Sequence, residues 1–291
     1  YVPIRDLPVY KRQFFRENVL GANAPDAKTA GKTLFEDAAI RLWTLDDEVV
    51  IASIKSKMHT ISAEVTSGLA KGLEIAEAGY KGLVIWSYDG PFSAGADLQS
   101  MMPAFMAGGG KAIAPFEKQL QDFMLSLRYS NVPTVAAMHG LALGGGCELA
   151  VHCAKRVAAM ETYVGLVEVG VGLIPGGGGL AYQARRAAEL LETSKGISGQ
   201  TPVDLMAYIK EFFQASAMAK VATSGIEARK FGYLLDGDIV VPNKDEILYV
   251  AIAQAKAMYE SGHRAPAKKL FPVAASSRST TTTSARPSPT C

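Results

Sequence analysis

A chain of 291 residues, 48% hydrophobic and 20% charged, is long enough to bury the core of one large domain with appendages. Its apolar runs are broken by glycine, histidine or charge before reaching the roughly 18 residues of a transmembrane helix. The net charge of +2, with no dense basic stripe interleaved with aromatics, argues against a nucleic-acid surface. Three cysteines, Cys147, Cys153 and Cys291, have neither metal-type pair spacing nor a disulfide framework, so a reducing, cytoplasmic setting is expected.

The first stretch, YVPIRDLPVYKRQFFREN, lacks the apolar core of a signal peptide, and the chain starts at Tyr1 rather than Met, so a piece of something longer is expected. Residues 1–37, mixed, charged and interrupted by Pro3, Pro8 and Pro25, read as a linker or junction to a neighbouring domain. Residues 38–262 carry the regular signals. IRLWTL and VVIASIKS flank the turn-prone Asp46-Asp47 and predict a hairpin. Ile61, Val65, Leu69 and Leu73 recur at helical spacing, and GLVIWS returns to a strand. APFEKQLQDFMLSLRYS, with Pro115 near its start and Phe116, Leu120, Phe123 and Leu127 on one face, predicts the next helix, and PTVAAM the next strand. The alternation indicates an α/β core over about 38–190. A helical part follows over about 191–262. Its segments are TPVDLMAYIKEFFQASAMAK, with Thr201 as N-cap, and NKDEILYVAIAQAKAMYES, where Asn243 and Glu246 fit a capping box. Residues 263–291, rich in Ser, Thr and Pro, read as a disordered tail.

Three segments point to chemistry. In GLALGGGCELAVHC the glycines fall where a strand turns into a helix, leaving backbone N–H groups unpaired, and Glu148 sits in the helix's first turn. An oxyanion forming on a carbonyl would be stabilised there, each donor being worth about 3 kcal/mol of barrier. The bland alternative is close helix packing, with Glu148 only favouring the helix dipole. PFSAGADLQSMM again places small residues before a helix and could supply a second N–H. GLVEVGVGLIPGGGG isolates Glu168 in an apolar, glycine-rich run. Two carboxylates in such surroundings are candidates for acid and base work, because desolvation and like charge push their pKa values apart.

These three segments, in this order and separation, resemble the crotonase superfamily, specifically the enoyl-CoA hydratases, over about 38–262. The resemblance implies an α/β, ClpP-like spiral of ββα repeats with a helical C-terminal part that mediates trimer formation. It implies that Ala96 and Gly145 donate N–H groups to the thioester oxygen of an acyl-CoA, that Glu148 activates water for attack at C3 and that Glu168 delivers the proton to C2. Gly95, Asp97, Gly144 and the acyl-pocket candidates Met101, Met102 and Phe105 complete the implied substrate-binding set, Asp97 being also the natural cap of the following helix. The product would be a 3-hydroxyacyl-CoA of fatty-acid β-oxidation, with coenzyme A carried by the substrate and no other cofactor or metal. Homo-oligomers, trimer or hexamer, or a fused 3-hydroxyacyl-CoA dehydrogenase are the implied partners. Three departures stand out. Gln99 occupies a position where lysine often meets the CoA phosphates, Val167 precedes Glu168 where proline is frequent, and Gly176 to Gly179 lack the alanine many hydratases have. The competing readings are a Δ3,Δ2-enoyl-CoA isomerase or other crotonase enzyme, and an inactive acyl-CoA-binding domain of a multifunctional protein. No dinucleotide fingerprint is present. His152, His139, His59 and His263 read as core or rim residues without zinc spacing, and Cys147 as a small buried filler.

Overall fold

A computed structural model describes residues 2–3, 6–15, 28–194 and 205–270. Seven strands lie side by side in chain order: β1 (Lys32–Glu36), β2 (Ile40–Thr44), β3 (Val50–Ile54), β4 (Leu83–Ile85), β5 (Thr134–Leu143), β6 (Lys155–Gly165) and β7 (Ile239–Val241). The first three are antiparallel and β3 to β7 are parallel. Alternate side chains of each strand enter two separate cores. Ile40, Leu42, Val50, Ala52, Leu83 and Ile85 face one, and Trp43, Ile51, Val84, Val135 and Val157 the other. A sheet covered on both faces therefore gives nearly continuous apolar strands rather than polar alternation.

Helix α1 (Ala63–Gly79) starts at Ser62, whose hydroxyl accepts from Val65 N–H, and buries Val65, Leu69 and Leu73 as their spacing predicts. The predicted hairpin is β2–β3, with Asp47 in the left-handed region at its turn. Strand β1 arises inside the segment read as linker. It pairs Lys32 with Thr44 and Glu36 with Arg41, and only Leu34 and Phe35 pack on the core, too few apolar residues to betray a strand by period.

The ββα unit is explicit in β2–β3–α1. In later turns of the spiral its two strands fuse: β5 and β6 pair as 135–138 with 155–158, pass a bulge after Met138, and pair again as 140–143 with 162–165. The bulge inserts two extra residues into β6 and redirects both strands. Beyond it, single bridges from Ser93 to Ala142 and from Val164 to Ala222 widen a small second layer. That layer is where the strand-to-helix turns of interest converge.

Helix α2 (Leu98–Arg128) is interrupted at Gly109, at φ 60° and ψ −151°, so Pro115 lies inside its second part rather than at a helix start. Leu120, Phe123 and Leu127 are buried as predicted, and Phe116 is half-buried. Short α3 (Gly145–His152) is followed by α4 (Gly179–Thr193), α5 (Leu205–Ala217), α6 (Gly225–Lys230) and α7 (Ile247–Glu260). Thr201 and residues 271–291 of the expected tail lie outside the described residues. The capping box at Asn243 is not formed: Asn243 Oδ1 accepts from Asp245 N–H, but the Glu246 carboxylate instead pairs with Arg12 at 3.0 Å.

Candidate active site

The glycine turn between β5 and α3 is built by backbone contacts. Gly144 takes φ 50° and ψ −123°, a conformation L side chains rarely adopt, and donates its N–H to Gly165 O at 2.9 Å. Gly145 then opens α3, so its N–H is among those helix geometry leaves without an intrahelical acceptor. On the facing segment, the bridge between Ile61 and Ala96 uses Gly95 O and Asp97 N–H, which leaves Ala96 N–H out of the ladder. The two segments nearly touch. A Cβ on Gly145 would stand 3.3 Å from Ala96 N, and one on Gly95, at φ 108°, would stand 2.9 Å from Leu143 O. Ala96 and Gly145, singled out from separate stretches of sequence, thus border one opening.

Glu148 and Glu168 line the same cavity, of about 390 Å³. Glu148, only 2% exposed, is carried inward by the first turn of α3, and its Oε1 accepts from Gly179 N–H at 2.8 Å. A side chain at Gly177 would displace it, since a Cβ there would lie 2.5 Å from Oε2. Burial, with the nearby Glu168 charge adding to it, pushes its pKa up to about 7. Glu168 opens the helical turn Glu168–Val171 after β6 and also titrates above the usual carboxylate range, mainly through desolvation. Both of its carboxyl oxygens are buried without a protein partner. Polar atoms placed so are costly unless something in the cavity meets them.

The remaining candidates divide. Gly95, Gly144 and Met101 line the cavity. Met102 and Phe105, expected in the acyl pocket, are instead 52% and 45% exposed and absent from its wall, because they fall on the outer face of the first part of α2. Asp97, expected to bind substrate, spends Oδ1 on the N–H groups of Gln99 and Ser100 as the α2 cap and is not part of the lining. His152 does not orient the Glu148 carboxylate. Its Nδ1–H donates to the Glu148 backbone carbonyl at 2.7 Å, and burial holds its pKa down at about 4. Cys147 is fully buried, its thiol pushed well up by desolvation.

A third carboxyl of the cavity, Glu117 on α2, did not emerge from the sequence segments. Flanked by Phe116 and Lys118 it reads as a surface acid, yet Ile113, Glu117 and Leu120 share one helix face at i, i+4 and i+7, and an acid on an apolar stripe is the signal that was available. A second cavity, of about 420 Å³ and lined in part by Lys57, His59 and Trp86, contains neither Glu148 nor Glu168.

Residues 48–200 match the family model described as enoyl-CoA hydratase/isomerase. A Bacillus subtilis protein named "Probable 3-hydroxyacyl-CoA dehydrogenase" is 35% identical over 254 residues, 87% of this chain and 31% of that protein. The mitochondrial methylglutaconyl-CoA hydratase of Mus musculus is 37% identical over 129 residues, 42% of this chain and 40% of that protein. The chain thus spans less than half the length of these relatives. The crystal structure of an enoyl-CoA hydratase from Geobacillus kaustophilus superposes with a TM-score of 0.62 at 18% identity, over 77% of this chain and 76% of that one, a likeness of fold. By the family match over its central residues, the chain belongs to the enoyl-CoA hydratase/isomerase family.

Proposed function

We propose that the chain hydrates trans-2-enoyl-CoA thioesters to 3-hydroxyacyl-CoA. The observation that carries this reading is that two buried carboxyls, Glu148 and Glu168, border one cavity together with the backbone of Ala96 and Gly145 on two facing segments. The thioester oxygen would accept from Ala96 and Gly145 N–H, which holds the negative charge of the enolate. Water would be held between the carboxyls. Its oxygen bonds to C3 as Glu148 takes one of its protons, and Glu168 releases its own proton to C2. One C–O and one C–H bond thus replace the π bond of the 2,3 double bond and one O–H bond of water, and return of the proton from Glu148 to Glu168 resets the pair. With its pKa raised to about 7, Glu148 can take up and release a proton at neutral pH, and desolvation raises that of Glu168 in the same direction. Coenzyme A arrives with the substrate, and the step needs no further cofactor.

The name of the Bacillus subtilis relative favours a place beside a 3-hydroxyacyl-CoA dehydrogenase, which would oxidise the product formed here, in the manner of fatty-acid β-oxidation. Self-association remains part of the proposal, supported by Met206 and Phe213 exposed on α5. No described helix is long and apolar enough to cross a membrane. The test is loss of the conjugated thioester absorbance with crotonyl-CoA and a longer trans-2-enoyl-CoA, comparing the wild type with Glu148→Gln and Glu168→Gln. A loss of about 100- to 10,000-fold in both variants is expected. No turnover by folded wild-type protein would refute the hydration reading.

A further inference from the structure

The hydration step leaves one carboxyl of the cavity without work. Glu117 projects from the second part of α2 into the cavity that holds Glu148 and Glu168. Its Oε2 is buried and has no hydrogen-bond partner. The wall around it is otherwise closed to polar pairing. Ile113 and Leu120 flank it on its own helix, the Gln121 amide nitrogen donates to Gly176 O at 2.7 Å, and no lysine, arginine or histidine is among the described residues of the lining. Across the cavity, Gly176 leaves the space the carboxyl fills, since a Cβ there would sit 2.8 Å from Oε2.

A structural role does not account for this carboxyl. The neighbouring Lys118 pairs with Asp122, on the solvent side of α2. Glu77, by contrast, shows what a fold-stabilising glutamate does, accepting from Ser130 Oγ at 2.8 Å and Asn131 N–H at 3.0 Å. A leucine at 117 would continue the apolar stripe at no such cost.

We propose that Glu117 is a specificity-determining residue that favours 2-enoyl-CoA substrates carrying a hydroxyl group on the acyl chain beyond C3, by hydrogen-bonding that hydroxyl at the cavity wall between Leu120 and Gly176. The inference rests on this cavity being the acyl site. A plain alkyl chain laid against Oε2 expels its water and returns nothing, whereas a hydroxyl replaces that water. A site built to hydrogen-bond a substrate hydroxyl discriminates against the analogue lacking it, because its own buried polar group is then left unpaired. A hydroxyl also serves both protonation states, donating to the carboxylate or accepting from the acid. Desolvation moves Glu117 towards the latter.

The experiment measures kcat/KM for trans-2-hexenoyl-CoA and for its 4-, 5- and 6-hydroxy derivatives with wild type, Glu117→Leu and Glu117→Gln. The ratio of hydroxylated to plain substrate, read on one preparation, is independent of how much of it is folded. In wild type at least one hydroxylated substrate should exceed the plain one by on the order of 10-fold. Glu117→Leu should remove that preference and Glu117→Gln should keep most of it. Equal ratios in wild type and Glu117→Leu for all three derivatives would overturn the proposal. If wild type turns over none of the four, the hydration reading fails instead. Calorimetric binding of 4-, 5- and 6-hydroxyhexanoyl-CoA against hexanoyl-CoA then decides Glu117 by the same ratio, supporting the proposal if the preference depends on Glu117 and overturning it if not.

Discussion

Replacing Glu148 by glutamine should cost activity and add stability at once, and the two effects should separate with pH. In the folded chain the carboxyl titrates at about 7, against 4.5 for its ordinary value, because burial and Glu168 both oppose its charge. A folded-state pKa raised above the unfolded one means the protonated group favours folding. That contribution is fully present below about pH 4.5 and is lost as pH rises through about 7. Raising the carboxyl from 4.5 to about 7 corresponds, at about 1.4 kcal/mol per tenfold in the proton equilibrium, to about 3 to 4 kcal/mol of folding free energy lost above neutrality. Glutamine is uncharged and keeps an oxygen to accept from Gly179 N–H, so Glu148→Gln should be more stable than wild type by about 3 to 4 kcal/mol at pH 8.5 and nearly equal to it at pH 4.5. Urea unfolding at the two pH values measures the difference, and hydration of crotonyl-CoA on the same samples should show a loss of about 100- to 10,000-fold. A stability difference that does not change with pH would refute the reasoning, as would a variant less stable than wild type at pH 8.5.

Glu168→Gln removes the second cause of the raised Glu148 pKa, so the acid limb of kcat/KM against pH, near 7 in wild type, should move to lower pH while the plateau falls by about 100-fold or more. Gly177→Ala would place a methyl group 2.5 Å from Glu148 Oε2 and should lower kcat by at least about 10-fold while the circular dichroism spectrum stays native. Met101→Ala should change the ratio of kcat/KM between long and short acyl chains several-fold, on the order of the 10-fold that methylenes in a pocket command, whereas Met102→Ala, on the outer face of α2, should leave that ratio unchanged.

What could be read along the chain was whatever depends on neighbours in sequence. The β2–β3 hairpin, the i, i+4 stripe of α1 and the strand-to-helix turn at Gly144 and Gly145 are local arrangements, fixed by turn chemistry, periodicity and the steric freedom of glycine at φ 50°. The motifs around Ala96, Glu148 and Glu168 were legible for the same reason, each being a short stretch whose residue types serve one turn. Which of them meet was decided only by the fold. The bulge after Met138 redirects β5 and β6, and the bridges from Ser93 and Ala222 close the layer that brings Ala96 beside Gly145 and both glutamates onto one cavity. The helix faces followed the same rule. Met101 enters the cavity while Met102 and Phe105 point away, and Glu117, more than fifty residues before Glu168 in the chain, joins its cavity, because a side chain's direction depends on how α2 is set against α3 and its following loops. Periodicity states which residues share a face, and only the packed structure states what that face meets.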